Sequence, residues 1–203
     1  VGLLDAQADL LAAALAVESL ACESAAPAIA LALHTGVVLA TAADEHFSSL
    51  LRGEVVGAIG LSSDDIPDDH DGRLSGRASW VGPLTDHGVA IVGAGAAAAE
   101  GAAAPLVAAV VALDLPGVRQ DAVETAGLRG FVCGHLTLSD VPFTALGSPV
   151  PIMARVRVLL AAAGLGMGRR ALQDALHAAR RYRGYGAGGE QTVQGLLADA
   201  ATE

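Results

Sequence analysis

The chain is 203 residues long with a mass of 20.1 kDa, enough for one domain or two small ones. Apolar residues make up 53 % and charged residues 17 %, with 44 alanines among the former, so a disordered polyelectrolyte is excluded. Aromatics at 3 % and a formal net charge of −10 exclude a nucleic-acid reader, which needs stacking platforms and a basic face.

Residues 3–52 read as helical, with Leu4, Leu11, Leu15 and Leu20 forming an apolar stripe at helical spacing. Ser24 and Pro27 open a second helix, which Gly36 interrupts. Asp44 caps a third, short helix through Leu50 and Leu51, and Gly53 ends it. The run 25–43 approaches the length of a membrane span, but its alanines, Pro27 and Gly36 predict a buried helix, so no membrane insertion is expected. No basic segment opens the chain, and Cys22 and Cys133 lie far apart in apolar surroundings, so neither a secretory signal nor a disulfide framework is expected. The expectation is a cytoplasmic protein. The first residue is Val1 and not methionine, which predicts a processed or partial product.

From Val55 the hydrophobic period changes from helix to strand. Residues 55–61, 74–81, 89–92, 106–113 and 131–138 read as short strands between clusters of Gly, Pro and Asp. Gly72 and Gly88 read as turn residues, and Asp71-Gly72 is a hairpin signal. Ser148, Pro149 and Pro151 then start a long helix reaching about Arg183, a glycine-rich loop covers 184–189, and 190–203 reads as a last amphipathic helix. The expected fold class is therefore α+β in blocks: an N-terminal helical segment (1–54), a central antiparallel β-barrel or sandwich (55–147) and a C-terminal helical pair (148–203).

Charge is unevenly spread. The chain has no lysine, and seven of its twelve arginines (Arg155, Arg157, Arg169, Arg170, Arg180, Arg181 and Arg183) share one stretch with a single acid, Asp174. That stretch carries +6 and the remainder −16. It reads either as solvated helix surface or as a strip facing an anion such as nucleotide phosphates. A second nucleotide signal is 89–98, VAIVGAGAAA, a strand followed by GxGxxA at Gly93, Gly95 and Ala98, with Asp114 after the next strand. That is the outline of a Rossmann dinucleotide site, although its helix would be nearly pure alanine broken by Gly101. The run Asp64, Asp65, Asp68, Asp69, His70, Asp71 reads as a solvated acidic loop because it lacks any ligand spacing, and the six histidines are scattered. No metal site is expected. Cys133 reads as a small buried hydrophobe.

Five segments in order carry a resemblance to the acyl-CoA dehydrogenase family of flavoproteins: LLRGEVVGAIGL (50–61), DGRLSGRASWVGPLTDHGVAIVGA (71–94), ETAGLRGFVCGHLTLSDVP (124–142), LAAAGLGMGRRALQDALHAARRYRGYG (160–186) and QTVQGLLADAATE (191–203). The resemblance implies FAD as cofactor, an acyl-CoA substrate, α,β-dehydrogenation (an oxidoreductase acting on CH–CH groups of lipid metabolism), and homo- or hetero-oligomers. It also implies cofactor-binding roles for Ser62 and Ser63, the remnant of a flavin-contacting loop; for Trp80 beside the flavin ring; for position 82, where Gly82 stands in place of a hydroxyl donor; for Arg181 and Arg183, flanking Tyr182 at the pyrophosphate arginine; and for Gln191, which reaches a neighbouring subunit's cofactor. The resemblance places the family's carboxylate base either early in the long helix, where Val156 stands and 151–163 contains no acid, or far downstream at a position that would lie beyond Glu203, so no catalytic residue is expected among these residues; Asp140 and Glu190 are the next carboxylates. The chain is then either part of a dehydrogenase or its non-catalytic partner subunit. The alternatives are a flavin-dependent monooxygenase on the same fold, which needs no such base, and the Rossmann protein.

Overall fold

Three helices precede the first strand: α1 (Leu10–Glu23), α2 (Ala25–Thr41) and the single turn α3 (Ser48–Leu51). The computed structural model describes residues 10–42, 47–62, 65–96, 106–181 and 191–202. In α1 the buried side is Ala13, Val17 and Ala21, one helical stripe of small residues against α2 and the long helix. The expected leucine stripe is corrected here, because Leu11 and Leu15 are 63 % and 54 % exposed. Small side chains let the helices approach closely, which leaves the bulkier leucines outside. Gly36 does not interrupt α2; it is buried within it. The proposed cap Asp44 lies outside the described residues, and Gly53, with φ at +69°, follows α3.

Eight strands follow: β1 (Val56–Gly60), β2 (Asp68–His70), β3 (Arg73–Val81), β4 (Gly88–Ala96), β5 (Leu106–Ala112), β6 (Val118–Val123), β7 (Cys133–Pro142) and β8 (Thr144–Gly147). Their order is β6-β7-β3-β2-β4-β5-β8, with β1 beside β4. The sheet is mixed and does not close, where a wholly antiparallel barrel or sandwich was expected: β1 and β2 both run parallel to β4. Three strands were not expected. β2 lies within the acidic run, β6 is a polar strand at the end of the sheet, and β8 has four residues, so none presents a run of alternating apolar residues. Asp71 and Gly72, with φ of 53° and 78°, make the two-residue turn between β2 and β3, and Asp69 Oδ1 accepts the Gly72 N–H. Gly88 is no turn residue; it opens β4 opposite Val56.

One cluster of apolar residues lies within the sheet layer, drawn from β1, β3, β4, β5 and β7. The other face of β1, β4 and β5 packs on α2 and on α4 (Val150–Arg181), through Ile59, Ile91 and Val110 against Val37, Val38, Ile152 and Val156. β4 is thus buried on both faces, which is why it reads as a continuous apolar run. His34 of α2 joins the layers. Its Nδ1 accepts the Gly57 N–H at 3.0 Å, and burial pushes the imidazole below its ordinary value, with a hydrogen bond to the Leu50 backbone pulling the other way.

By length and composition α4 is the one helix among the described residues that could cross a membrane. It buries Ile152, Val156, Leu159, Ala163 and Gly166 on one side, and α1 and α2 cover that side. The last helix, α5 (Gln191–Thr202), packs back on α4 and buries no residue fully.

Candidate functional site

Between the helices and the ends of β1 and β3 lies a cavity of about 480 Å³. Ile29 and Leu33 of α2 and Met153, Val156 and Leu160 of α4 form its aliphatic side. Ser62, Trp80, Gly82, Phe131 and Cys133 form the other. Three of the expected cofactor residues, Ser62, Trp80 and Gly82, therefore meet at one place, although Trp80 lies in β3, Gly82 just beyond it and Ser62 in the connection after β1.

Trp80 is the only tryptophan, and it is 59 % exposed. Its position comes from a β-bulge. β3 and β7 pair as Ala78↔Leu136 and then Val81↔Gly134, so Ser79 and Trp80 together oppose the single residue His135. Trp80 takes φ +56°, a conformation that costs a bulky residue about 1–3 kcal/mol. Trp80 thus stands exposed and strained at the mouth of the apolar cavity.

Gly82 is closed to any side chain. A Cβ there would lie 2.7 Å from the Phe131 ring and 3.1 Å from Cys133 Cβ. Its own N–H and C=O are both bonded to the Ile59 backbone. Position 82 thus offers no hydrogen-bond donor to a ligand, and Phe131 fills the space a hydroxyl would take. Cys133 is half-buried and lines this cavity, so it is not the wholly buried hydrophobe expected of it.

Val156, which stands at the aligned position of the family's base, is 1 % exposed, and its Cγ2 would be 2.5 Å from a Cβ on Gly36. The lining holds no carboxylate among the described residues. Asp140 is exposed and paired with Arg73 at the opposite end of β3, about 23 Å from Trp80 by strand rise, so it is no base for this cavity. A neighbouring groove of about 590 Å³ shares Phe131 and is lined by Glu124, Thr125 and Arg129; it is open and lacks an aromatic platform like Trp80.

The arginine strip divides. Arg169 bridges to Glu18 at 2.7 Å, Arg170 binds Asp174, Glu23 and the Cys22 carbonyl, and Arg155 donates to the Leu39 carbonyl. These three serve helix packing. Arg157, Arg180 and Arg181 are exposed and make no such contact among the described residues. Arg181 stands 25 positions beyond Val156, about 37 Å along α4 by helix rise, and cannot reach the cavity of its own copy. Gln191 opens α5, whose far half packs on 164–175 of α4. Ser63, Tyr182, Arg183 and Glu190 lie outside the described residues.

The Rossmann reading is corrected by strand pairing. β4 and β5 are antiparallel over Val89↔Ala112 to Gly95↔Leu106, and Gly93 and Gly95 lie inside the β4 ladder, so no parallel βαβ unit exists there. Ala98 lies outside the described residues.

No protein-family profile and no curated protein matches the sequence. Solved structures do match its fold. Butyryl-CoA dehydrogenase from Megasphaera elsdenii superimposes with a TM-score of 0.81 at 22 % identity, over 97 % of this chain and 60 % of that one. A glutaryl-coenzyme A dehydrogenase in complex with glutaryl-CoA gives 0.81 at 22 %, over 99 % and 62 %. The FAD complex of PigA gives 0.79 at 18 %, over 97 % and 60 %. The chain spans about 60 % of the length of these proteins. Over the part it spans, this chain has the acyl-CoA dehydrogenase fold.

Proposed function

We propose that the chain binds FAD and an acyl-CoA at the cavity between Trp80 and α4, as part of an acyl-CoA dehydrogenase or its partner subunit, with no catalytic base among the described residues that line the cavity. The observation that carries this reading is Trp80, exposed and strained at the mouth of an apolar cavity in a fold shared with flavoproteins. Trp80, with Ser62 and the backbone around Gly82, would hold the flavin ring, and Ile29, Leu33 and Leu160 would exclude water from the acyl chain. A bound flavin would accept a hydride from the acyl Cβ. The matching removal of the α-proton needs a carboxylate, and Val156 supplies none.

Because Arg181 lies far from the cavity, we assign the cofactor's phosphates to a second chain's Arg181, Arg183 and Gln191. The groove between α4 and α5, about 600 Å³ and lined by Leu165, Leu172 and Leu197, supports an assembly in which that face is covered. Purify the full chain, record its visible spectrum and measure its mass by light scattering at micromolar concentration. A flavin spectrum accompanied by an oligomer is expected. Tight binding of FAD by a monodisperse monomer would refute the shared site. Robust oxidation of acyl-CoA by the wild type with an artificial acceptor would refute the missing base.

A further inference from the structure

We propose that Asp65, Ser79 and His135 form a clamp that holds the bulge at Trp80 and makes the indole respond to protonation of His135. The use of that wall for a flavin rests on the proposed function; the clamp itself does not. Ser79 Oγ contacts Asp65 Oδ2, and His135 Nδ1 lies 3.0 Å from the same Oγ. A carboxylate only accepts, so the single hydroxyl proton of Ser79 goes to Asp65. The hydroxyl oxygen then receives Nδ1–H of His135, which fixes the tautomer and leaves the ring's lone pair on Nε2.

The second contact is to Trp80 itself. The imidazole and indole rings stand edge to face, with centroids 5.5 Å apart and planes at 61°. His135 therefore touches both residues of the bulge, Ser79 by hydrogen bond and Trp80 by ring contact. The bulge sets the left-handed backbone of Trp80, and with the indole largely in solvent, His135 is the ring that packs against it. Asp65 belongs to the connection that follows Ser62, so the contacts tie that connection to Trp80 on the same side of the cavity. The charged groups facing His135 are Asp65 through Ser79 and, across β6, its register partner Asp121, which is paired with Arg119. Cys133 and Thr137 flank it on β7. Arg77 lies on β3 opposite Thr137.

Trp80 is the sole tryptophan, so intrinsic emission of the full chain reads this one site. Protonated imidazole quenches indole on contact. Wild-type emission should fall on acidification, and His135→Gln should abolish that fall. Ser79→Ala and Asp65→Asn should lower the emission anisotropy and raise acrylamide quenching. An unchanging wild-type emission overturns the clamp without any variant, and so does an equal fall in His135→Gln; His135→Asn serves if Gln does not fold. FAD is titrated separately, read by its own absorption. Its affinity should drop about five-fold in Ser79→Ala, the equivalent of one net hydrogen bond of about 1 kcal/mol. If Trp80 responds as expected and FAD fails to bind, the clamp stands and the proposed function falls. If FAD binds and all variants keep wild-type anisotropy, quenching and affinity, the clamp falls and the proposed function stands.

Discussion

The two ends of α4 make different surfaces from one helix. Its first three turns present Met153, Val156 and Leu160 to a cavity with an aromatic wall and no lining carboxylate. Its second half presents arginines, some bound to acids of α1 and α4 itself and some with no partner among the described residues. The near end carries Arg155, which donates to the Leu39 carbonyl, and the exposed Arg157, but no charged side chain among the described residues lines its cavity. The far end has charge but lies about 37 Å away.

The largest expected effect comes from giving the cavity lining a carboxylate. Val156→Glu, in FAD-loaded protein, should raise acyl-CoA oxidation about 10²–10⁴-fold over wild type, the usual range for a positioned base. The same change buries a carboxylate at a 1 % exposed site and should lower stability by about 3 kcal/mol, read from the denaturation midpoint. A stable Val156→Glu protein with no gain in rate would place the cavity outside the chemistry.

Next is the fit between Gly82 and Phe131. Gly82→Ser should cost about 1–3 kcal/mol because its Cβ meets the ring. Adding Phe131→Ala should recover part of that loss, and a double-mutant cycle should show coupling of about 0.5–3 kcal/mol. Additive losses would mean that the two positions do not compete for space.

At the far end, Arg169→Ala leaves Glu18, 12 % exposed, without its cation. Because the guanidinium is more than half exposed, the loss should be only about 1–2 kcal/mol by thermal unfolding. Arg157→Ala should stay within about 0.5 kcal/mol. Equal effects would erase the division between packing arginines and the others.

The smallest effect concerns pH. His34 has its pKa lowered by burial, so the unfolded chain binds its proton more readily than the folded one. Its contribution is fully present above the unfolded value of about 6.5 and is lost as pH falls toward the folded value, at about 1.4 kcal/mol for each unit of displacement. His34→Gln keeps an acceptor for the Gly57 N–H and should flatten this acid slope in urea titrations at several pH values.

The block order of helices, strands and helices was legible because the hydrophobic period changes near Val55 and again near Val150. The Asp71-Gly72 turn was legible because few residue pairs accept two left-handed conformations. β2, β6 and β8 were not, since a strand held by its neighbours needs no apolar alternation of its own. The glycines of β4 suggested a phosphate loop, yet they serve a strand flanked by β1 and β5 and buried on both faces. Of the residues expected to bind a cofactor, sequence resemblance named Ser62, Trp80 and Gly82 together, and the fold does bring them together. His135, Asp65 and Phe131 had no signal, because their roles depend on a bulge and on partners 14 to 56 positions away.

What the sequence by itself determined is local: where the period is helical, where the chain turns, and that no carboxylate lies between Pro151 and Ala163. Tertiary structure alone decided which face of α1 is buried, that the sheet is mixed and open, and that Trp80 points out of a bulge. It also decided that one set of arginines is spent on helix packing and that Arg181 stands far from the cavity. Those outcomes depend on which surfaces meet across long stretches of chain, and sequence spacing does not record that.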